Sequence, residues 1–189
     1  MINVGIYLES KPFNDNWPKI KIYHNNSLLD DVICHQSLEL HYQIKPSVDN
    51  LLSIEMYGKR FGDGGIYDVD SNGQGQEIQI KDITFDDVSI DHLLSKVEFE
   101  THWTEHQLSS HNEEFRSKYN RYQSNGMIVF NGRLNFNFST PIYDFLIDKK
   151  YKVDHNKDIA YFSNSTELFN FHLGLSKLEE IKKIITENE

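Results

Sequence analysis

The chain has 189 residues, with 29 Asp and Glu against 19 Lys and Arg, for a formal net charge of −10. Aromatic residues make up 13% of it, enough large side chains to bury a core and to exclude a disordered chain. The negative field repels phosphate backbones and anionic lipid surfaces, so nucleic acid and membrane are set aside as partners and a divalent cation becomes the more natural one.

The N-terminal run Met-Ile-Asn-Val-Gly-Ile-Tyr has no basic region and no long apolar stretch, so no signal peptide is expected. No segment approaches the roughly 20 apolar residues of a membrane span. The single cysteine, Cys34, allows no intrachain disulfide and reads as a small apolar filler.

The first half alternates as strands do. Residues 2–8, 19–23, 37–44 and 51–57 place apolar side chains at every second position over part of their length. Turn formers separate them: Asn14-Asp15-Asn16, Asn25-Asn26, Asp30-Asp31 and Pro46. Residues 58–75 form a loop rich in Gly, Asp and Asn, and strand patterning returns at 76–85, 87–90 and 96–100. Short strands spaced about ten residues apart predict an antiparallel β-sandwich, jelly-roll-like, over residues 1–104.

Residues 105–189 change character and predict a helix, a β-hairpin and a C-terminal helix packed on the sandwich, as one compact unit. Ser110-His111-Asn112-Glu113 fits a capping box, and Phe115, Tyr119 and Tyr122 follow at helical spacing. Asn131-Gly132 lies between Met127-Ile128-Val129-Phe130 and Arg133-Leu134-Asn135-Phe136-Asn137-Phe138, which predicts a hairpin with a type I′ turn. Pro141 through Ile147 reads as a further strand or an apolar edge. Residues 165–187 carry Leu168, Phe171, Leu175, Leu178 and Ile185 near one stripe, interrupted by Lys182, as an amphipathic helix does.

The loop Asp68-Val69-Asp70-Ser71-Asn72-Gly73-Gln74 has oxygen donors at every second position and a glycine that permits a sharp bend. It is a candidate calcium site built from Asp68, Asp70 and Asn72, with a carbonyl from Gln74 and Asp63 as an extra ligand. Three departures set it apart from a helical calcium hand: the twelfth position is Gln79, not Glu, the eighth is Gly75, not an apolar residue, and strands flank the loop. The same residues also suit a solvated turn.

His102-Trp103-Thr104-Glu105-His106 matches the inverted zinc-peptidase pattern, in which two imidazoles share a helical face and the Glu acts as base. A third ligand would come from Glu179 or Glu180, and His111 is a further candidate for a metal cluster. The strand-like residues before His102 argue instead for a polar connection entering a helix. Trp17, Trp103 and the ten Tyr are candidate platforms for sugar stacking, although core packing claims most aromatics. There is no glycine-rich phosphate loop and no Gly-x-Ser-x-Gly elbow.

The segments Gly58-Lys59-Arg60-Phe61-Gly62-Asp63, Asp68-Val69-Asp70-Ser71-Asn72-Gly73 and Glu77-Ile78-Gln79-Ile80-Lys81-Asp82-Ile83 resemble the small calcium-dependent carbohydrate-binding modules of xylan-degrading enzymes. That resemblance implies a β-sandwich whose loop-bound calcium contacts sugar hydroxyls. In a glycan module of this kind an aromatic ring such as Trp17 would flank the ion. The acidic loop, together with Phe130-Asn131-Gly132 and Pro141-Ile142-Tyr143-Asp144, also resembles a set of proteins of tailed phages that infect marine bacteria. The two resemblances imply a noncatalytic binding module, calcium-dependent and directed at carbohydrate, in a phage virion or accessory role. Its location would then be the host cytoplasm or the virion. Two alternatives stay open: a virion structural or assembly protein that contacts other subunits or copies of itself, with a purely structural acidic loop, and a small metal-dependent hydrolase using His102, Glu105 and His106.

Overall fold

The computed structural model describes residues 1–61, 68, 75–142 and 145. Residues Met1–Phe145 form one compact unit. The helix expected at 165–187, with Glu179 and Glu180, lies outside the described residues.

Two antiparallel sheets make a β-sandwich. One has the order β4 (Ser37–Ile44), β1 (Ile2–Lys11), β6 (Glu77–Phe85), with β7 (Val88–Ser89) and β10 (Met127–Ile128) both paired to β6. The other runs β3 (Ser27–Ile33), β2 (Lys19–His24), β5 (Asp49–Tyr57), β11 (Gly132–Ser139), β8 (Glu98–Thr101), β9 (Arg121–Gln123). A 3-10 helix, Asp91–Lys96, and two α-helices, α1 (Glu105–Ser110) and α2 (Glu113–Asn120), complete the described elements.

Period-two patterning decides which side chains meet between the sheets. Val4, Ile6 and Leu8 of β1 and Ile78, Ile80, Ile83 and Phe85 of β6 are buried on one side; Ile20, Ile22, Leu52, Ile54, Met56, Leu134 and Phe136 are buried on the other. Phe85 of the first sheet meets Phe136 and Phe138 of the second, with ring centroids 5.7 and 4.7 Å apart. Such pairs add about 1 kcal/mol each beyond the area they bury. β6 changes phase midway: Tyr7 faces Asp82 and Leu8 faces Ile80, so Lys81 is an extra, unpaired residue. This β-bulge lets both halves of Ile78-Gln79-Ile80-Lys81-Asp82-Ile83-Thr84-Phe85 point their apolar residues inward.

Tight turns with both central residues at positive φ occur at Asn14-Asp15, Asn25-Asn26, Asp86-Asp87 and Asn125-Gly126. Asn and Asp tolerate this conformation better than other side chains, and type I′ turns require it.

The expected hairpin at Asn131-Gly132 does not form. The strands on either side of it belong to different sheets, β10 pairing with β6 and β11 with β5 and β8. The positive-φ Asn-Gly turn is Asn125-Gly126, six residues earlier. Gly132 is needed for another reason: a Cβ there would sit 2.2 Å from the Glu100 carbonyl oxygen and 2.7 Å from the Phe99 ring.

Three further expectations are corrected. Asp30 and Asp31 are not a turn but part of edge strand β3, where they accept hydrogen bonds from the hydroxyls of Tyr42 and Tyr57. Charged residues on an edge discourage pairing with another chain. The capping box falls at Thr104 and Gln107, opening α1, while Ser110 ends that helix and Asn112 caps α2 through Phe115 N at 2.8 Å. After Pro141, Ile142 and Phe145 are helical, with Phe145 N donating to Pro141 O at 3.2 Å. The strands after residue 104 are built into the same two sheets as those before it, with β11 central in its sheet.

Candidate functional site

A cleft of about 340 Å³ opens where β2 begins and β5 ends. Trp17, Lys19, Tyr57 and Gly58 line it together with Asn16, Arg60, Asp68 and Gln76. Trp17 is half-buried, between the Asn14-Asp15 turn and Pro18, and its ring lies 5.3 Å from that of His35. Pro18 favours extended backbone at Trp17 and anchors the segment by accepting from Cys34 N at 2.8 Å.

Asp68 forms one wall. Its side chain is only 2% exposed, and Oδ2 accepts from both Arg60 N and Arg60 Nε at 3.0 Å. Oδ1 accepts from Arg60 Nη2 at 3.0 Å and from Asn16 Nδ2 at 3.4 Å. This is a fork-to-fork pair reinforced by an amide, the strongest form of carboxylate recognition. Burial opposes the charge on Asp68. The Arg60 side chain and amide nonetheless hold its carboxyl below the ordinary carboxylate range, with Lys59 adding to the pull.

The floor beneath is a closed polar network. Gln76 donates its side-chain amide to Asn16 O at 3.0 Å and its backbone N to Asp68 O at 3.3 Å. The Lys59 ammonium, buried with a residue exposure of 3%, donates to Gln76 O and Val129 O, both at 2.7 Å, and sits 5.2 Å from the Phe61 ring centroid. Burial pushes this amine down to about 8, against the opposing attraction of Asp68 and Glu77. Tyr57, on the cleft's rim, hydrogen-bonds Asp31, which pushes its phenol up to about 12, and carries the Lys21 ammonium over its ring at 4.6 Å.

Of the calcium ligands expected from the loop, only Asp68 is among the described residues; Asp63, Asp70, Asn72 and Gln74 are outside them. A carboxylate has about four lone-pair positions. Four donors from Arg60 and Asn16 already approach Asp68, so a cation there would have to displace at least one of them, the Asn16 amide at 3.4 Å being the most distant. In this arrangement the Asp68 carboxylate is satisfied by Arg60 and Asn16.

The His-x-x-Glu-His residues are not presented by one helix. His102 precedes the Thr104 cap and turns to Glu55, with Nδ1 3.6 Å from the carboxylate. Glu55 also receives Arg133 Nη2 at 2.8 Å; although burial works against its charge, the Arg133 and Tyr23 hydrogen bonds hold the carboxyl below its usual range. Glu105 and His106 are exposed on α1. His111 stacks on Phe115 at 4.6 Å, and its Nδ1 lies 3.1 Å from Gln107 O at the end of α1. Trp103 joins an aromatic cluster with His111, Phe115 and Phe130 and borders a more open hollow of about 410 Å³ beside α2.

The roles of Arg60, Lys59 and Asn131 do not follow from the sequence. Arg60 and Lys59 sit in the Gly-Lys-Arg-Phe run, where no periodicity tells a buried lysine from a solvated one, and their partners are remote in sequence.

No family model, curated protein or solved structure matches the chain.

Proposed function

We propose that this protein is a noncatalytic binding module whose ligand is a glycan held in the Trp17 cleft. The observation that carries the reading is the placement of the half-buried Trp17 ring and the Arg60–Asp68 fork in one cleft. A pyranose has an apolar face that stacks on an aromatic ring and a rim of hydroxyls that needs oriented donors and acceptors. Trp17 supplies the first, and Asn16, Arg60 and Gln76 supply the second. The network beneath them holds these groups in place before a ligand arrives, which limits the ordering cost of binding. Calcium enters this reading only through Asp63, Asp70, Asn72 and Gln74. Placement in a phage particle rests on the sequence resemblance.

The test is an oligosaccharide array followed by calorimetric titration of the best ligand against the wild type and Trp17→Ala. Binding should be modest, because a shallow cleft buries little area. It should be lost in Trp17→Ala while the melting temperature stays within a few degrees. Equal binding by the variant would move the site elsewhere. An empty array together with stable self-association would favour a structural subunit.

A further inference from the structure

The described lining of the cleft contrasts with the acidic composition of the chain. The chain carries a formal net charge of −10, yet among the described residues the cleft is lined by two cations, Lys19 and Arg60, against one anion, Asp68. Asp68 and Arg60 compensate each other's charge, which leaves Lys19 as the cation of the described lining without a paired carboxylate. Arg60 is 39% exposed along its side chain; it uses Nε and Nη2 on Asp68, and Nη1 makes no hydrogen bond to the described residues. The guanidinium is thus fixed on one edge and open on another. Lys19 is exposed at the start of β2, opposite Tyr57 in register and with its stem alongside Gly58. No described carboxylate lies within ion-pair distance of its ammonium. A second ammonium, that of Lys21, lies over the Tyr57 ring.

Building on the glycan reading, we propose that the cleft selects an acidic saccharide, a sugar bearing a carboxylate, which the open edge of Arg60 and the Lys19 ammonium bind while Trp17 stacks on the ring. A neutral sugar would leave the Lys19 ammonium and the free edge of Arg60 to water. A carboxylate accepts charge-assisted hydrogen bonds from both, which are about twice as strong as neutral ones. The net negative charge of the protein slows the approach of an anion at low salt, so recognition here is local.

Calorimetric titration with an oligogalacturonate, its fully methyl-esterified form and a neutral oligoglucan tests this. The ester keeps the sugar ring and removes the charge. The acid should bind at least about tenfold more tightly than the ester, since hydrogen bonds between charged groups carry that much discrimination. Lys19→Gln should weaken binding of the acid several-fold more than binding of the ester, since it removes one of the carboxylate's two cationic partners; an equal effect on both would count against charge selection. Equal binding of acid and ester, with Trp17→Ala abolishing both, would overturn the charge selection and leave the glycan reading standing. Tighter binding of the oligoglucan than of the acid would do the same. If none of the three binds and the array is empty, both readings fall.

Discussion

Asn131 closes its side-chain amide on the backbone of Lys59: Oδ1 accepts from Lys59 N at 2.9 Å and Nδ2 donates to Lys59 O at 2.7 Å. The amide thus imitates a strand neighbour. Meanwhile the Asn131 carbonyl accepts from His102 N at 2.8 Å, which ties the crossing between sheets to the end of β8. Asn131→Ala would leave two main-chain groups of a buried residue without partners, at about 1–3 kcal/mol each. The expected outcome is a fall in urea-unfolding stability of about 3 kcal/mol and faster hydrogen exchange at the Lys59 amide. An unchanged exchange rate would mean that the amide is protected by something other than Asn131.

Lys59 gives a signature on the alkaline side. Its folded pKa, about 8, lies below the ordinary lysine value of 10.5. Below pH 8 both states are protonated, and the fold bears the full cost of a buried charge, about 3 kcal/mol. Between pH 8 and 10.5 the unfolded chain binds more protons, so Lys59's contribution to stability improves as pH rises. The stability difference between wild type and Lys59→Met, followed in denaturant from pH 7 to 10, should move in favour of the wild type. A flat difference would show that Lys59 titrates near its usual value.

The sequence made the sandwich legible because apolar alternation and burial are the same fact seen twice. Residues 37–44 read as a strand from their pattern and are β4 with the same ends. The pattern failed where a strand is an exposed edge: β3 buries no residue fully, and its acids looked like a turn. It failed again where one dipeptide has two uses. Asn125-Gly126 takes the positive-φ turn, whereas Asn131-Gly132 uses its amide as a strand mimic and its missing side chain as clearance. Trp17 and Asp68 were identifiable as residue types, but Arg60 was not, because a carboxylate written in an acidic loop gives no sign that a guanidinium fills it.

The two glycines separate these uses by experiment. At Gly126, φ is +74° and a Cβ would lie 3.0 Å from Ile80 O, so Gly126→Ala should cost about 1–2 kcal/mol as a left-handed alanine with a small adjustment. At Gly132 the clash is with the backbone itself, and relief requires β11 to move away from β8. Gly132→Ala should therefore cost about 3 kcal/mol, the upper end for backbone displacement and strain. Urea midpoints in the reverse order would show that the β8–β11 contact yields easily.

Asp68 links the cleft to acid stability and to calcium. Its folded pKa is depressed below the ordinary 3.8, so the stability it adds is fully present above that value and is lost as pH falls through the folded pKa. Asp68→Asn removes the charge and keeps the shape. It should lower stability at pH 7, by less than the loss of a fully buried pair because Arg60 is partly exposed. The gap between wild type and variant should close as the pH is taken below 4, the direction set by a carboxylate that is paired only when folded. The same pair predicts the response to calcium. With four donors already on its oxygens, three of them from Arg60, Asp68 gains a cation only by releasing one or more of them. Millimolar calcium should then leave the Arg60 Nε–H resonance in place and should shift the melting temperatures of wild type and Asp68→Asn alike. A rise in wild-type melting temperature that Asp68→Asn lacks, with loss of the Arg60 signal, would show that the loop exchanges guanidinium for calcium. Asp68 would then be a metal ligand in the bound form, since a cation held only by the folded state stabilises it by mass action.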